Sequence, residues 1–205
     1  VFTEKPMCYT LREADEILDA HTRAGTVCMV AYMKRYDPGL RYAEPLIRDL
    51  KDLQAIHITV LHPSAANQVG HHDIRRFRDV PADIAARLRV EEDTLIREAI
   101  GDFTALERRV FAEHLLSTLV HDINLLRGLS GDPAEILFTD IWAGGDSLMT
   151  CLRYASGVRA IISLQYLWDL AHYEETVAYL AKGDRVRLVF PSPFFRNMPT
   201  PVTVE

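Results

Sequence analysis

Four polar side chains recur at helical spacing in the segment 105–129, where the remaining residues are largely apolar. Intervals of three, four and three residues place His114, Ser117, His121 and Asn124 on one face of an α-helix. A histidine titrates near physiological pH, so His121 is the candidate acid/base, with Ser117 and Asn124 as candidate substrate contacts. The same stripe could instead be a set of hydrogen-bonded core groups or an exposed strip.

Two short segments that follow predicted strands carry a second set of candidate groups. Glu4-Lys5-Pro6 lies between a strand end and the start of a helix. A lysine at the carboxyl end of a parallel strand lies where ligands bind in open α/β sheets, and partial burial would lower its pKa. The segment 32–38 has the same placement, and its Tyr32 and Arg35 are candidate substrate contacts. Either segment could equally be a solvated loop.

Adjacent histidines followed by an acid, His71-His72-Asp73, raise the question of a metal site. Neighbouring residues rarely converge on one ion, and no third ligand stands at a standard spacing. A polar loop is therefore the better interpretation than a metal-dependent hydrolase. The chain also contains no G-x-G-x-x-G, Walker, G-x-S-x-G or H-E-x-x-H motif.

Composition narrows the class of protein. The 205 residues are 48% apolar and carry a net charge of −6, which argues against a nucleic-acid surface. Apolar runs are much shorter than the roughly 20 residues of a membrane helix. The cysteines are odd in number and lack a CxxC spacing, which favours reduced, buried thiols in a cytoplasmic protein. They are Cys8, Cys28 and Cys151.

The first part of the chain alternates predicted strands and helices. A capping box at Thr10 begins one helix and Gly25 ends it, and Asp37-Pro38 begins the next. The apolar run 27–32 predicts a strand that is buried on both faces. Further elements are a half-buried strand at 56–60, a loop at 64–80, a helix at 81–100 broken near Val90, and a long helix at 105–129.

The last third reads as strands joined by short turns, which predicts antiparallel neighbours. Their approximate ranges are 135–142, 148–155, 159–170, 173–181 and 185–190. The predicted fold is α/β (α+β): the end of a Rossmann domain, then a largely antiparallel open sheet with helices on one face. The uncovered face, with Leu164, Tyr166 and Trp168, predicts a homo-oligomer that pairs through the sheet.

Taken in order, these segments resemble the glucose–fructose oxidoreductase / inositol dehydrogenase / rhizopine-catabolism family of nicotinamide-dependent oxidoreductases. Glu4-Lys5-Pro6 matches the family's E-K-P motif. The segment 32–38 matches its strand that ends in an Arg-containing turn before a helix, and 120–131 matches its histidine helix. The resemblance covers nearly the whole chain, and the late strands fit the family's C-terminal sheet.

The resemblance implies a two-domain enzyme that uses NAD or NADP. Residues 1–37 would end the dinucleotide-binding (Rossmann) domain, and 38–205 would form the domain for substrate binding and oligomerisation. Glu4-Lys5-Pro6 would lie beside the nicotinamide, with Lys5 bonded to the reacting hydroxyl and His121 as general base. We therefore expect the chain to begin inside a larger protein whose glycine fingerprint lies upstream.

Two departures from the family pattern bear on this expectation. The family usually has an acid four residues before the histidine and often another three residues after it, but this chain has Ser117 and Asn124. A carboxylate beside His121 would raise its pKa and hold its orientation, whereas a serine only hydrogen-bonds. The expected function is oxidation of a sugar, polyol or similar small molecule. The alternative is a non-catalytic ligand-binding or assembly domain derived from such enzymes.

Overall fold

The computed structural model describes residues 1–195 and 197–205. The chain forms two compact units, and each draws on two separate stretches of sequence. The first unit consists of Val1–Tyr32 and Ile74–His121, and the second of Met33–Asp73 and Asp122–Glu205. The predicted domain boundary at residue 37 remains a prediction.

The first unit opens with a β–α–β arrangement. Strands β1 (Phe2–Thr3) and β2 (Met29–Val30) pair in parallel, and helix α1 (Leu11–Ala24) connects them. The predicted capping box forms, because the Thr10 hydroxyl accepts the Glu13 amide proton and the Glu13 carboxylate accepts the Thr10 amide proton. The prediction of a doubly buried strand was wrong, since β2 pairs only with β1 among the described residues and is only half-buried.

The rest of the first unit is helical. Helix α4 (Ala82–Ile100) is continuous, so the predicted break near Val90 was wrong; the position is exposed, and a β-branched residue there costs little helix propensity. Helix α5 (Ala105–Arg109) leads directly into a π-helix at Val110–Leu119. Helix α6 (Val120–Ser130) continues from it and passes into the second unit.

The second unit is built on a seven-stranded sheet. Its strands are β3 (Leu53–His62), β4 (Glu135–Trp142), β5 (Ser147–Arg153), β6 (Arg159–Tyr166), β7 (Glu174–Ala181), β8 (Arg185–Phe190) and β9 (Val202–Val204). They lie in the order β4-β5-β6-β3-β7-β8-β9, in which β3 pairs in parallel with β6 and every other neighbouring pair is antiparallel. The largely antiparallel open sheet of the predicted α/β class is confirmed.

One feature of the sheet departs from the predicted strand order. β6 and β7 are not neighbours, because β3 lies between them. The connection 167–173 is long enough to pass one strand, which needs only two inter-strand spacings of about 4.8 Å. Short connections therefore predict antiparallel neighbours correctly for β4, β5 and β6 but not for β6 and β7.

The two faces of the sheet differ in burial. Cross-strand pairing places Ile58, Ile162 and Val177 side by side on the buried face. Leu164 lies on this same face and is 1% exposed, so its predicted place on the open face was wrong. The cause is strand parity, since alternate residues of β6 point to opposite faces. Ile161 of β6 lies on the open face, next to its cross-strand partner His57 of β3.

Two further helices belong to the second unit. Helix α2 (Pro38–Asp49) begins at Asp37, whose carboxylate accepts the Leu40 amide proton, and it buries an apolar side. The loop predicted at 64–80 contains a short helix α3 (Ala65–Val69), which the Ser64 hydroxyl caps. Across the described residues, no helix combines the length and the apolar character needed to span a membrane.

Candidate functional site

Lys5 lies in the loop that follows β1, as the sequence predicted. Its ammonium donates a hydrogen bond to the backbone carbonyl of Ser117, in the π-helix. Partial burial lowers the pKa of Lys5 below its ordinary value, and the nearby Glu4 carboxylate opposes that shift. A lysine with a lowered pKa is a better proton donor at neutral pH than a solvated one.

His121 lies in the first turn of α6 and is half-buried. It follows Ser117 by four residues along the same helical run, so the amine of Lys5 contacts the run that carries the imidazole. An imidazole can accept a proton from a hydroxyl, and an ammonium can donate a hydrogen bond to the same oxygen. The first unit thus contains an ammonium group and an imidazole, two group types that can polarise a hydroxyl.

The π-helix changes the predicted polar stripe. Within it, backbone bonds reach five residues back, as between the Val120 amide and the Leu115 carbonyl. Each turn therefore holds more residues than an α-turn, and a 3–4–3 spacing no longer lies on one line. His114 is buried and Ser117 is exposed, so the prediction of one shared face was wrong. Lys5 uses the Ser117 backbone, not its side chain.

The other predicted substrate contacts fall in both units. Tyr32 is the last residue of the first of the two stretches that form the first unit; it lies just after β2 and is half-buried. In the second unit Asn124 is half-buried on α6, and Arg35 is exposed. The Arg35 guanidinium lies directly over Gly128 of α6, where a Cβ atom would come within 1.1 Å of Nη1. Any other residue at position 128 would require the end of the Arg35 side chain to move.

The sequence did not predict a buried group of charges in the second unit. The ammonium of Lys34, in a 3₁₀ turn at Met33–Tyr36, donates to Asp122 Oδ1 at 2.8 Å and to Glu175 Oε1. The Tyr173 hydroxyl donates to Glu175 Oε2 at 2.6 Å. We call these four side chains the Lys34 cluster. Lys34 stood in a segment predicted as a strand exit, but nothing in the local sequence marks it as buried.

The pKa values of the acidic groups in the Lys34 cluster depart from their ordinary values. Burial raises the pKa of Asp122 to about 7, although Lys34 opposes the shift. Burial alone would raise the pKa of Glu175 as well, but the Lys34 ammonium and the hydrogen bonds outweigh it and lower that pKa. Burial, with the neighbouring Glu175, raises the pKa of Tyr173 well above its usual range, so Tyr173 stays a hydroxyl donor.

A run of aromatic rings lies where β3 and β6 end. His62 contacts Tyr166 with ring centroids 4.7 Å apart and Tyr173 at 5.6 Å. Tyr166 stacks on Trp168 at 5.5 Å, and the Trp168 indole donates to Asp146 Oδ2 at 2.8 Å. Aromatic faces beside carboxylates can contact both the C–H surfaces and the hydroxyls of a polyol.

The segment His71-His72-Asp73 makes no metal centre in the described part of the chain, where no three metal-ligating side chains converge. The His71 ring stacks on Phe195 at 5.2 Å between centroids. His72 Nε2 lies 3.1 Å from the Phe194 carbonyl, which accepts its hydrogen bond. Both histidines thus engage the C-terminal loop. All three cysteines are free thiols, and only Cys151 is buried.

No protein-family model matches the sequence, and no curated protein matches it. Solved structures of similar fold do exist. A dehydrogenase (MviM) from Clostridium difficile has a TM-score of 0.59 at 15% identity, over 100% of this chain and 54% of its own.

Two inositol enzymes are also similar. An inositol dehydrogenase homolog from Azotobacter vinelandii, complexed with NADH and myo-inositol, has a TM-score of 0.61 at 15% identity, over 99% of this chain and 49% of its own. Scyllo-inositol dehydrogenase from Lactobacillus casei, with NAD(H) and scyllo-inositol, has a TM-score of 0.61 at 15% identity, over 91% and 49%. At these identities the likeness shows a shared fold, and the chain spans about half the length of these structures.

Proposed function

We propose that this chain is the substrate-side portion of an NAD(P)-dependent oxidoreductase of the glucose–fructose oxidoreductase / inositol dehydrogenase / rhizopine-catabolism family. It would act on a sugar, polyol or similar hydroxylated small molecule. The observation that carries the proposal is the hydrogen bond of Lys5 to the helical run that bears His121. The fold shared with inositol dehydrogenases supports it.

The proposed chemistry divides two tasks between two side chains. Lys5 donates a hydrogen bond to the oxygen of the reacting hydroxyl, and its lowered pKa suits that role. His121 accepts the hydroxyl proton at an imidazole nitrogen as the carbon is oxidised. When bound, the nicotinamide supplies the hydride acceptor.

The residues present fit only one end of such a cofactor. Glu4-Lys5-Pro6 follows a parallel strand and provides a partly buried amine, which suits the nicotinamide end. The 205 residues contain no glycine-rich loop for the pyrophosphate. We therefore propose that the nucleotide phosphates are bound by sequence outside this chain, and that the chain alone is inactive.

Substrate contacts are proposed for Tyr32, Arg35, Ser117 and Asn124. Arg35 is supported by its exposed position and its contact with α6, and Asn124 by its place on α6 three residues after His121. A polyol offers donors and acceptors that amide and guanidinium groups can match. The support for Ser117 is weaker, because its carbonyl already accepts from Lys5.

A second candidate function is a non-catalytic ligand-binding or assembly domain derived from such enzymes. The absence of carboxylates at positions 117 and 124 favours it. We further propose a cytoplasmic homo-oligomer that pairs through the open face of the sheet, supported by exposed apolar residues such as Phe138.

We call the longer protein to which we expect this chain to belong the parent protein. The test is formation of NADH or NADPH by the parent protein on a panel of inositols, sugars and sugar alcohols. Reduction of either cofactor with at least one polyol is expected, and the 205-residue chain assayed in parallel is expected to give none. A folded parent protein that reduces neither cofactor on the whole panel would favour the non-catalytic candidate instead.

A further inference from the structure

The Lys34 cluster joins three parts of the chain that are far apart in sequence. Lys34 lies 88 residues from Asp122 and 141 residues from Glu175. The three side chains are almost completely buried, with relative exposures of 8%, 1% and 1% for Lys34, Asp122 and Glu175. One ammonium group therefore links the 3₁₀ turn to helix α6 and to strand β7.

The charges of the Lys34 cluster do not balance. One ammonium faces two carboxylates, with the Tyr173 hydroxyl and the Phe190 ring beside them; the ring lies 5.3 Å from Lys34 Nζ. The titratable His62 of β3 contacts Tyr173 with ring centroids 5.6 Å apart. Among the described residues, Lys34 is the cation that bonds to either carboxylate. With both acids ionised, the buried group has one negative charge in excess.

An uncompensated buried charge is costly, so the group favours binding one proton. Two carboxylates this close titrate as a coupled pair, in which one loses its proton far more readily than the other. The raised pKa of Asp122 and the lowered pKa of Glu175 have these directions. The geometry and the charge count both indicate that the cluster is neutral when protonated and negative when not.

The position of Asp122 connects this charge balance to the candidate base. Asp122 immediately follows His121 in the first turn of α6. We infer that Lys34, Asp122 and Glu175 are positioning residues, which anchor the helix turn containing His121 and hold it most firmly when the cluster carries one proton. The catalytic meaning of this anchor rests on the proposed function, whereas the anchor itself does not.

The first test is the pH dependence of unfolding of the 205-residue chain. A carboxyl whose folded pKa lies above its unfolded value binds more protons in the folded state between those two values. Its contribution to stability is therefore present at low pH and is lost as the pH rises toward the folded pKa. In wild type, this contribution should decline between about pH 4 and about pH 7, the unfolded and folded pKa values of Asp122.

Two substitutions remove the excess charge in different ways. In Asp122→Asn and in Glu175→Gln, one cation faces one carboxylate, so each variant should gain stability relative to wild type as the pH rises. Asp132→Asn is the matched control, because Asp132 pairs with Arg127 on the exposed surface at 2.5 Å. The stability of wild type and of the three variants is compared through the urea concentration at which each is half-unfolded, over a range of pH. If the Asp122 and Glu175 variants tracked wild type at every pH, the shared proton would be disproved.

The second test measures the anchor at His121 itself. The imidazole Cε1–H resonance of His121 should shift or broaden in Lys34→Met and return in Lys34→Arg, while that of exposed His57 stays in place. If Lys34→Met fails to fold, Lys34→Met/Glu175→Gln removes one carboxylate as well and serves in its place. An unchanged His121 resonance in a destabilised variant would reduce the cluster to a structural role and overturn the inference. Because no cofactor or substrate is present, an inactive parent protein would contradict the proposed function without affecting this result.

Discussion

At the scale of single residues, Lys5 and His121 have different roles in the proposed reaction, but replacing either of them should reduce kcat/KM to a similar extent. In the parent protein, Lys5→Ala and His121→Ala should each reduce kcat/KM by about 10²–10⁴-fold, the usual contribution of one acid/base group. Steady-state kinetics measures this, with circular dichroism as the check of folding. Lys51→Ala and His72→Ala, at exposed positions, are the matched controls. Near-full activity of His121→Ala would remove it as the base.

Two neighbouring cations show what the sequence could and could not predict at this scale. Lys34 and Arg35 follow the same strand and have similar charge. Lys34 is buried and Arg35 is exposed, because only Lys34 meets the carboxylates of Asp122 and Glu175. Those partners are distant in the chain, so no local pattern could identify them. The position of Lys5 was predictable because it directly follows a strand end, whereas its partner, the Ser117 carbonyl, lies 112 residues away and was not predicted.

At the scale of elements, the capping box of α1 gives a quantitative expectation. Thr10→Ala removes the hydroxyl that accepts the Glu13 amide proton, and the free energy of unfolding should fall by about 1 kcal/mol. Urea unfolding of the 205-residue chain measures it. Thr22→Ala is the control, because the Thr22 hydroxyl bonds to the Leu18 carbonyl inside the helix and caps nothing. Equal losses in both variants would mean that the cap does not stabilise α1.

Local patterns predicted elements whose signals are themselves local. The Thr10 cap, the alternation around Ile58 in β3 and the strands of the last third all occur where expected. The π-helix at Val110–Leu119 was not predictable in this way. A helical spacing assumes 3.6 residues per turn, and the sequence of this segment does not reveal the wider turn. The prediction of a polar stripe on one helix face was therefore wrong, although the helical segment itself was predicted.

At the scale of the whole molecule, the open face of the sheet should mediate self-association. Phe138 is exposed. It pairs across the strands with Cys151, which in turn pairs with Ile161, so these residues lie on this same face. Light scattering on a dilution series should give a mass above that of the 23.3 kDa chain. Phe138→Glu should lower it, whereas Phe77→Glu, in an exposed loop, should not. A wild-type monomer throughout the series would contradict the proposal.

Strand order is a property of the whole molecule, and here the sequence was an incomplete guide. The antiparallel neighbours β4, β5 and β6 follow from their short turns. The insertion of β3 between β6 and β7 depends on pairing with a strand from a distant part of the chain. Such non-local pairing is decided by which faces must be buried together, and a connection length alone does not encode it.

The central claim, that this chain supplies the substrate side of hydride transfer, is most directly tested by following a deuterium label. The parent protein would be incubated with NAD⁺ and myo-inositol that carries deuterium on its ring carbons, and the reduced cofactor would be examined by NMR. The predicted result is deuterium at C4 of the nicotinamide, lost in His121→Ala. Reduced cofactor without the label, or labelled cofactor formed equally well by His121→Ala, would contradict the account.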